Sequence, residues 1–123
     1  MRYGGFQSVV VDAWEGGEER RHAEYGAALQ HRVTFELQVP ARSLSDVLSE
    51  AGLTDIDLMT IDVEGFEFSV LRGLDLAKHR PRFLLVECVH GDSDRRNIES
   101  LLGDAYGYEA QLSRLDHLYR RLN

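Results

Sequence analysis

The stretch LMTIDVEGFEFSVLRG, residues 58–73, decides the reading of the fold. Leu58-Met59-Thr60-Ile61 has the composition of a buried strand, and the run stops abruptly at Asp62-Val63-Glu64-Gly65. From Phe66 the apolar residues return at Phe66, Val70 and Leu74, four apart, which is helical spacing. A strand over 56–63 that gives way to a helix ending near Gly73 is the first half of a strand–helix–strand unit. Arg80-Pro81 then breaks the chain, because the residue before a proline is driven out of the helical region. The second strand follows as RFLLVECV, residues 82–89, a continuous apolar run of the kind covered on both faces in a parallel sheet.

The pattern extends in both directions. On the carboxyl side, Ser93-Asp94 predicts the cap of a helix that carries Ile98, Leu101 and Leu102 and is closed by Gly107. Tyr108, Ala110 and Leu112 alternate, and HLYRRLN (117–123) follows, which together read as an antiparallel hairpin. On the amino side, Ser43-Leu44-Ser45-Asp46 opens a short helix, with serine and an acid three residues on to satisfy free N–H groups, and Gly52 suits its left-handed exit. Val33, Phe35, Leu37 and Val39 alternate as in a half-exposed strand ended by Pro40. Residues 15–32 read as a long polar loop with one helical turn, and SVVVDAW (8–14) as a short strand. Strands alternating with helices imply a single α/β domain with a mainly parallel sheet and a C-terminal antiparallel hairpin.

Composition narrows the function classes. The 123 residues suffice for one domain, and a net charge of −7 offers no basic face to nucleic acid or an anionic membrane. The single cysteine, Cys88, precludes a disulfide framework within the chain. No apolar run approaches the roughly 18 residues of a membrane span, and MRYGGFQS has no signal-peptide core. The expected address is the cytoplasm.

The chemistry concentrates beyond the strand ends. In an open parallel sheet, ligands bind outside the carboxyl ends of the strands. Asp62 and Glu64 stand at one such end, and Glu87 stands near the next, 25 residues after Asp62, with His90, Asp92 and Asp94 behind it. Glu64 and Glu67 also have an ordinary explanation, since acids are favoured at a helix start by about 0.3–1 kcal/mol, and Gly65 permits a tight turn. Asp62 interrupts an apolar run, so partial burial and a partner are expected for it. Trp14, Tyr25 and Phe35 read as core or edge packing residues, and Cys88 as inert packing.

These residues resemble the FkbM-type methyltransferases. The resemblance is carried by Asp57-Leu58-Met59-Thr60-Ile61-Asp62-Val63-Glu64-Gly65-Phe66-Glu67, Val70-Leu71-Arg72-Gly73, Arg80-Pro81 and Leu84-Leu85-Val86-Glu87. Val39 to Leu48, Gly107-Tyr108 and Tyr119 also fit. The family-like region is 39–123, and 1–38 is a divergent strand and loop region. The resemblance implies a Rossmann-like class I fold, S-adenosylmethionine as cofactor, and methyl transfer to a hydroxyl of a small-molecule substrate. Asp62 and Glu64 would lie at the active-site edge of the fourth strand of such a sheet, and Glu87 would end the fifth. Asp62, Glu64 and His90 are the catalytic candidates, Asp62 and Gly65 the cofactor-binding ones, Glu87 the substrate-binding one, and no metal is expected. Thr60 stands where the family commonly has lysine. The family's early Asp-x-Gly-Ala-Asn-type glycine loop has no counterpart, because Gly4-Gly5 and Gly16-Gly17 are too short and differently placed. The chain thus resembles the second half of such an enzyme. The competing reading is a non-catalytic remnant acting as an interaction module, with a second copy or another partner covering an exposed sheet edge. A receiver-like phosphoacceptor domain fits less well, since Ala13 follows Asp12 and no lysine lies near Glu87.

Overall fold

The computed structural model describes residues 9–10, 18–29 and 33–122. The chain divides into two units, residues 1–40 and 41–123. In the first, helix α1 (Glu18–Leu29) replaces the loop expected over 15–32. Its Ala, Glu and Arg residues are good helix formers, and Arg21 bonds Glu18 at 3.0 Å along its surface. The weak apolar periodicity hid this helix, because it has little to bury. The alternating segment Val33–Val39 is not a strand: Val33 and Phe35 are 87% and 84% exposed, and no described strand pairs with it. Alternation makes a strand only when a ladder partner is available. Of the strand expected over 8–14, Val9 and Val10 are described and are not in a strand, and the rest lies outside the described residues.

The second unit follows the expected order closely. Helix α2 (Leu44–Glu50) is capped as its sequence requires, with the Ser43 hydroxyl accepting from the Asp46 N–H at 3.1 Å and Gly52 at φ +67° just past its end. Strand β1 (Leu58–Ile61), helix α3 (Glu67–Arg72) and strand β2 (Phe83–Glu87) form the strand–helix–strand unit. Helix α4 (Asp92–Leu102), a short 3-10 turn (Gly103–Ala105), strand β3 (Tyr106–Gln111) and strand β4 (Asp116–Arg121) complete it. Gly91 rather than Ser93 is the N-cap of α4, and Gly103 rather than Gly107 ends it, at φ +50°. Gly107 lies inside β3, where its bare Cα faces the Leu122 side chain.

The sheet order is β1-β2-β4-β3. Only the β1–β2 pairing is parallel; β4 pairs antiparallel with both β2 and β3. The sheet is therefore mixed, and the expectation of a mainly parallel sheet is corrected. The hairpin itself is antiparallel as read, but its second strand folds into the slot beside β2. That placement is a tertiary choice that no local pattern encodes.

The core lies on one face of this sheet. Ile61, Leu84, Val86 and Tyr119 pack with Leu71 of α3 and Ile98 and Leu102 of α4. Along β2, Leu84 and Val86 are fully buried while Phe83, Leu85 and Glu87 are only half-buried. The strand expected to be covered on both faces is thus covered on one within this unit. On the other face Leu58, Phe83, Leu85, Leu112 and Leu118 line an open apolar depression of about 330 Å³. Buried His79 stitches α2 to the chain before β2, with its ring nitrogens 3.1 Å from Ser49 Oγ and 3.1 Å from the Leu53 carbonyl.

Candidate active site

The parallel register aligns the acids. Leu58 pairs with Phe83 and Ile61 with Val86, a constant offset of 25 residues. One step further along the same ladder brings Asp62 beside Glu87, which explains why two acids 25 residues apart end on the same edge. Glu87 in turn pairs with Asp116, the first residue of β4. Because side chains alternate along a strand, Asp62 shares its face with Thr60.

The turn between β1 and α3 gives the edge its shape. Glu64 and Gly65 both have positive φ, 53° and 91°, as the central residues of a type I′ turn do. Positive φ is ordinary for glycine and uncommon for glutamate. Glu67 reaches back across this turn: its Oε1 accepts from the Val63 N–H at 2.9 Å and from the Gly65 N–H at 3.0 Å. It is 3% exposed. Asp62, by contrast, is exposed, and its expected burial is corrected. The buried acid of this motif is Glu67, which sequence reasoning took for a helix-start charge. The available signal was its spacing, two and four residues past the N–H groups of a turn that cannot satisfy them itself.

Carboxylate oxygens of Asp62, Glu67 and Glu87 all lie within 4.8 Å of one another. Burial pushes Glu87 up to about 7, and the nearby charges of Asp62, Glu64 and Glu67 push in the same direction, as does a hydrogen bond to Asp62. Its Oε2 is buried without a hydrogen-bond partner. This carboxyl therefore keeps its proton to higher pH than an ordinary glutamate does, with Asp62 as its nearest acidic neighbour. Acids at this spacing are common without a metal, and none of the three is assigned as a ligand to one.

His90 stands apart from this group. Its N–H donates to Asp94 Oδ2 at 2.8 Å, and its ring Nδ1 lies 3.2 Å from the same oxygen. It is exposed in the loop after β2. Cys88 is fully buried and packs in the core as expected, with its thiol pushed up to about 12 by burial, helped by Asp94 and Glu67. Tyr25 and Phe35 are exposed, not packed, and Trp14 lies outside the described residues. No described helix is long and apolar enough to cross a membrane.

Comparison with known sequences identifies the family. The sequence model of the Methyltransferase FkbM domain matches residues 5–110. The chain belongs to the FkbM methyltransferase family. The match takes in the segment before residue 39, which the motifs alone had left as divergent. Methyltransferase sdnD of Sordaria araneosa is 36% identical over 98 residues, 72% of this chain and 35% of that protein. Methyltransferase 1 of Beauveria bassiana (strain ARSEF 2860) is 51% identical over 43 residues, 34% of this chain and 17% of that protein. The chain thus spans about a third or less of these relatives. No solved structure matches it.

Proposed function

We propose that this chain contributes the acidic half of an S-adenosylmethionine-dependent methyltransferase site acting on a small-molecule hydroxyl, within a Rossmann-like fold. The observation that supports it is the acid edge itself: in a member of the FkbM family, Asp62 and Glu64 flank the end of β1 beside Glu87 at the end of parallel β2. The chemistry of these groups suits the cofactor. A sulfonium and an ammonium are cations, and Asp62 and Glu64 are carboxylates at the edge where ligands of such sheets bind. The orphan Oε2 of Glu87 is an acceptor still in want of a donor, such as a hydroxyl.

S-adenosylmethionine, when bound, supplies a methyl group on an already activated leaving group. What remains for the protein is to orient the acceptor oxygen in line with that methyl and keep water out. Asp62, exposed at the edge, takes the acceptor's hydroxyl proton, with Glu64 as the neighbouring candidate. Glu87 in its protonated form bonds Asp62 and holds it, and in its charged form accepts from the substrate. Gly65 lets the backbone approach the cofactor closely. His90 is a weaker candidate base, because Asp94 already engages it.

Calorimetric titration of the purified chain with S-adenosylmethionine tests the proposal. Saturable one-to-one binding that Asp62→Asn weakens is the expected result. Absence of binding at millimolar cofactor would overturn the proposal.

A further inference from the structure

Glu67 is the charged residue that the fold buries most deeply at this edge, and burial of a carboxylate is costly unless it is hydrogen-bonded. Its partners are not those of an ordinary helix cap. A capping acid satisfies N–H groups inside the first turn of its own helix. Glu67 instead turns backward, and one oxygen receives the Val63 and Gly65 N–H groups, both in the loop that precedes α3. Between those two donors lies Glu64, a non-glycine residue at φ 53°. Such a conformation is strained for a residue with a side chain and persists only where its surroundings impose it. The turn's own closing bond, Phe66 N–H to the Val63 carbonyl, is long at 3.4 Å and does little to impose it.

We propose that Glu67 is a positioning residue: by gripping the amides on either side of Glu64, it holds the Asp62–Gly65 loop in the conformation that presents Asp62 and Glu64 at the end of β1. The consequence for ligand binding rests on the methyltransferase reading; the grip itself does not. A helix-start acid needs its charge, whereas a grip needs an acceptor of the right length. Glutamine offers the same oxygen at the same reach, and alanine offers none. Aspartate is a methylene too short to reach both amides.

Amide hydrogen exchange by NMR on the 123-residue chain separates these cases, with each variant studied well below its unfolding temperature. In the unmodified chain the Val63 and Gly65 amides are expected to be protected. Glu67→Asp and Glu67→Ala are expected to raise exchange at those two positions at least tenfold while leaving amides of β2 unchanged, and Glu67→Gln to restore protection to within about threefold. Affinity for S-adenosylmethionine is expected to fall at least tenfold in the Asp and Ala variants and to recover in the Gln variant. Unprotected Val63 and Gly65 amides in the unmodified chain, or protection unchanged in Glu67→Asp, overturns the proposal. If the unmodified chain binds no S-adenosylmethionine, the methyltransferase reading fails, while the exchange pattern still decides for or against the grip.

Discussion

The two turns that follow the parallel strands are built alike and used differently. After β1, Glu67 reaches back to the N–H groups of Val63 and Gly65; after β2, Asp94 reaches back to the N–H of His90. In both, an acid at the start of a helix satisfies the loop behind it. Glu67 is nearly sealed from solvent, while the side chain of Asp94 is 24% exposed and shares its oxygen with an exposed histidine. The β1 turn sits against the carboxyl group of the neighbouring strand, and its acid joins Asp62 and Glu87 in one group. Among the described residues the β2 turn joins no such group, and its acid holds the loop from a more exposed position. Burial therefore distinguishes a turn held for presentation from a turn held for closure.

Four substitutions would break or sharpen that contrast. Glu67→Ala has the largest expected effect, a loss of about 3 kcal/mol in urea unfolding, because two N–H groups lose a charged acceptor in a buried setting. A loss no greater than that of an exposed cap would mean that the two turns are equivalent. Glu87→Gln comes next and acts through pH. The folded chain keeps a proton on Glu87 up to about 7, whereas the unfolded chain releases it near the ordinary 4.5. The folded state thus binds more protons in that window, so stability falls as pH rises from about 4.5 through 7. Glutamine removes this slope, and the variant should be more stable than the parent at pH 8 by on the order of 1 kcal/mol, after allowance for partial exposure. Parallel slopes for parent and variant would show that Glu87 is not held protonated.

Asp94→Ala should cost about 1 kcal/mol, the usual net effect of losing one part-exposed hydrogen bond, and should leave the exchange of the Val63 and Gly65 amides unaltered. Spread of its effect into the β1 turn would erase the distinction between the two. The smallest expected effect on stability is that of Thr60→Lys, a few tenths of a kcal/mol at a surface position. A cation two residues before Asp62 on the same face should nevertheless lower the titration midpoint of Glu87 by about one pH unit. Carbon-13 NMR of the carboxyl group reads this directly, and an unmoved midpoint would place the lysine position too far away to act on the acid group.

Legibility in the sequence followed the range of the forces involved. Helix α2 was readable to its cap, since Ser43 and Asp46 are three residues apart and their hydrogen bond is local. The strand–helix–strand unit was readable from a change of period within residues 58–73. Helix α1 was missed because its apolar residues are mostly alanine and set no clear helical period, and the apparent strand at Val33–Val39 had the right alternation but no partner among the described strands. The acids Asp62 and Glu87 were legible as a pair from their offset of 25, which equals the register of the ladder beneath them. Glu67 was not, because a buried carboxylate and an exposed one look the same in sequence.

The amino-acid sequence by itself determined the family, the order of elements after residue 41, and the presence of acids at the ends of two neighbouring strands. These are matters of residue type and short-range periodicity. Only the tertiary structure decided that β4 enters between β2 and β3, that the helices of residues 41–123 cover one face of the sheet, and that Glu67 rather than Asp62 is the buried acid. Each of these depends on which groups far apart in the chain exclude water from one another, and that is settled when the sheet closes on its helices.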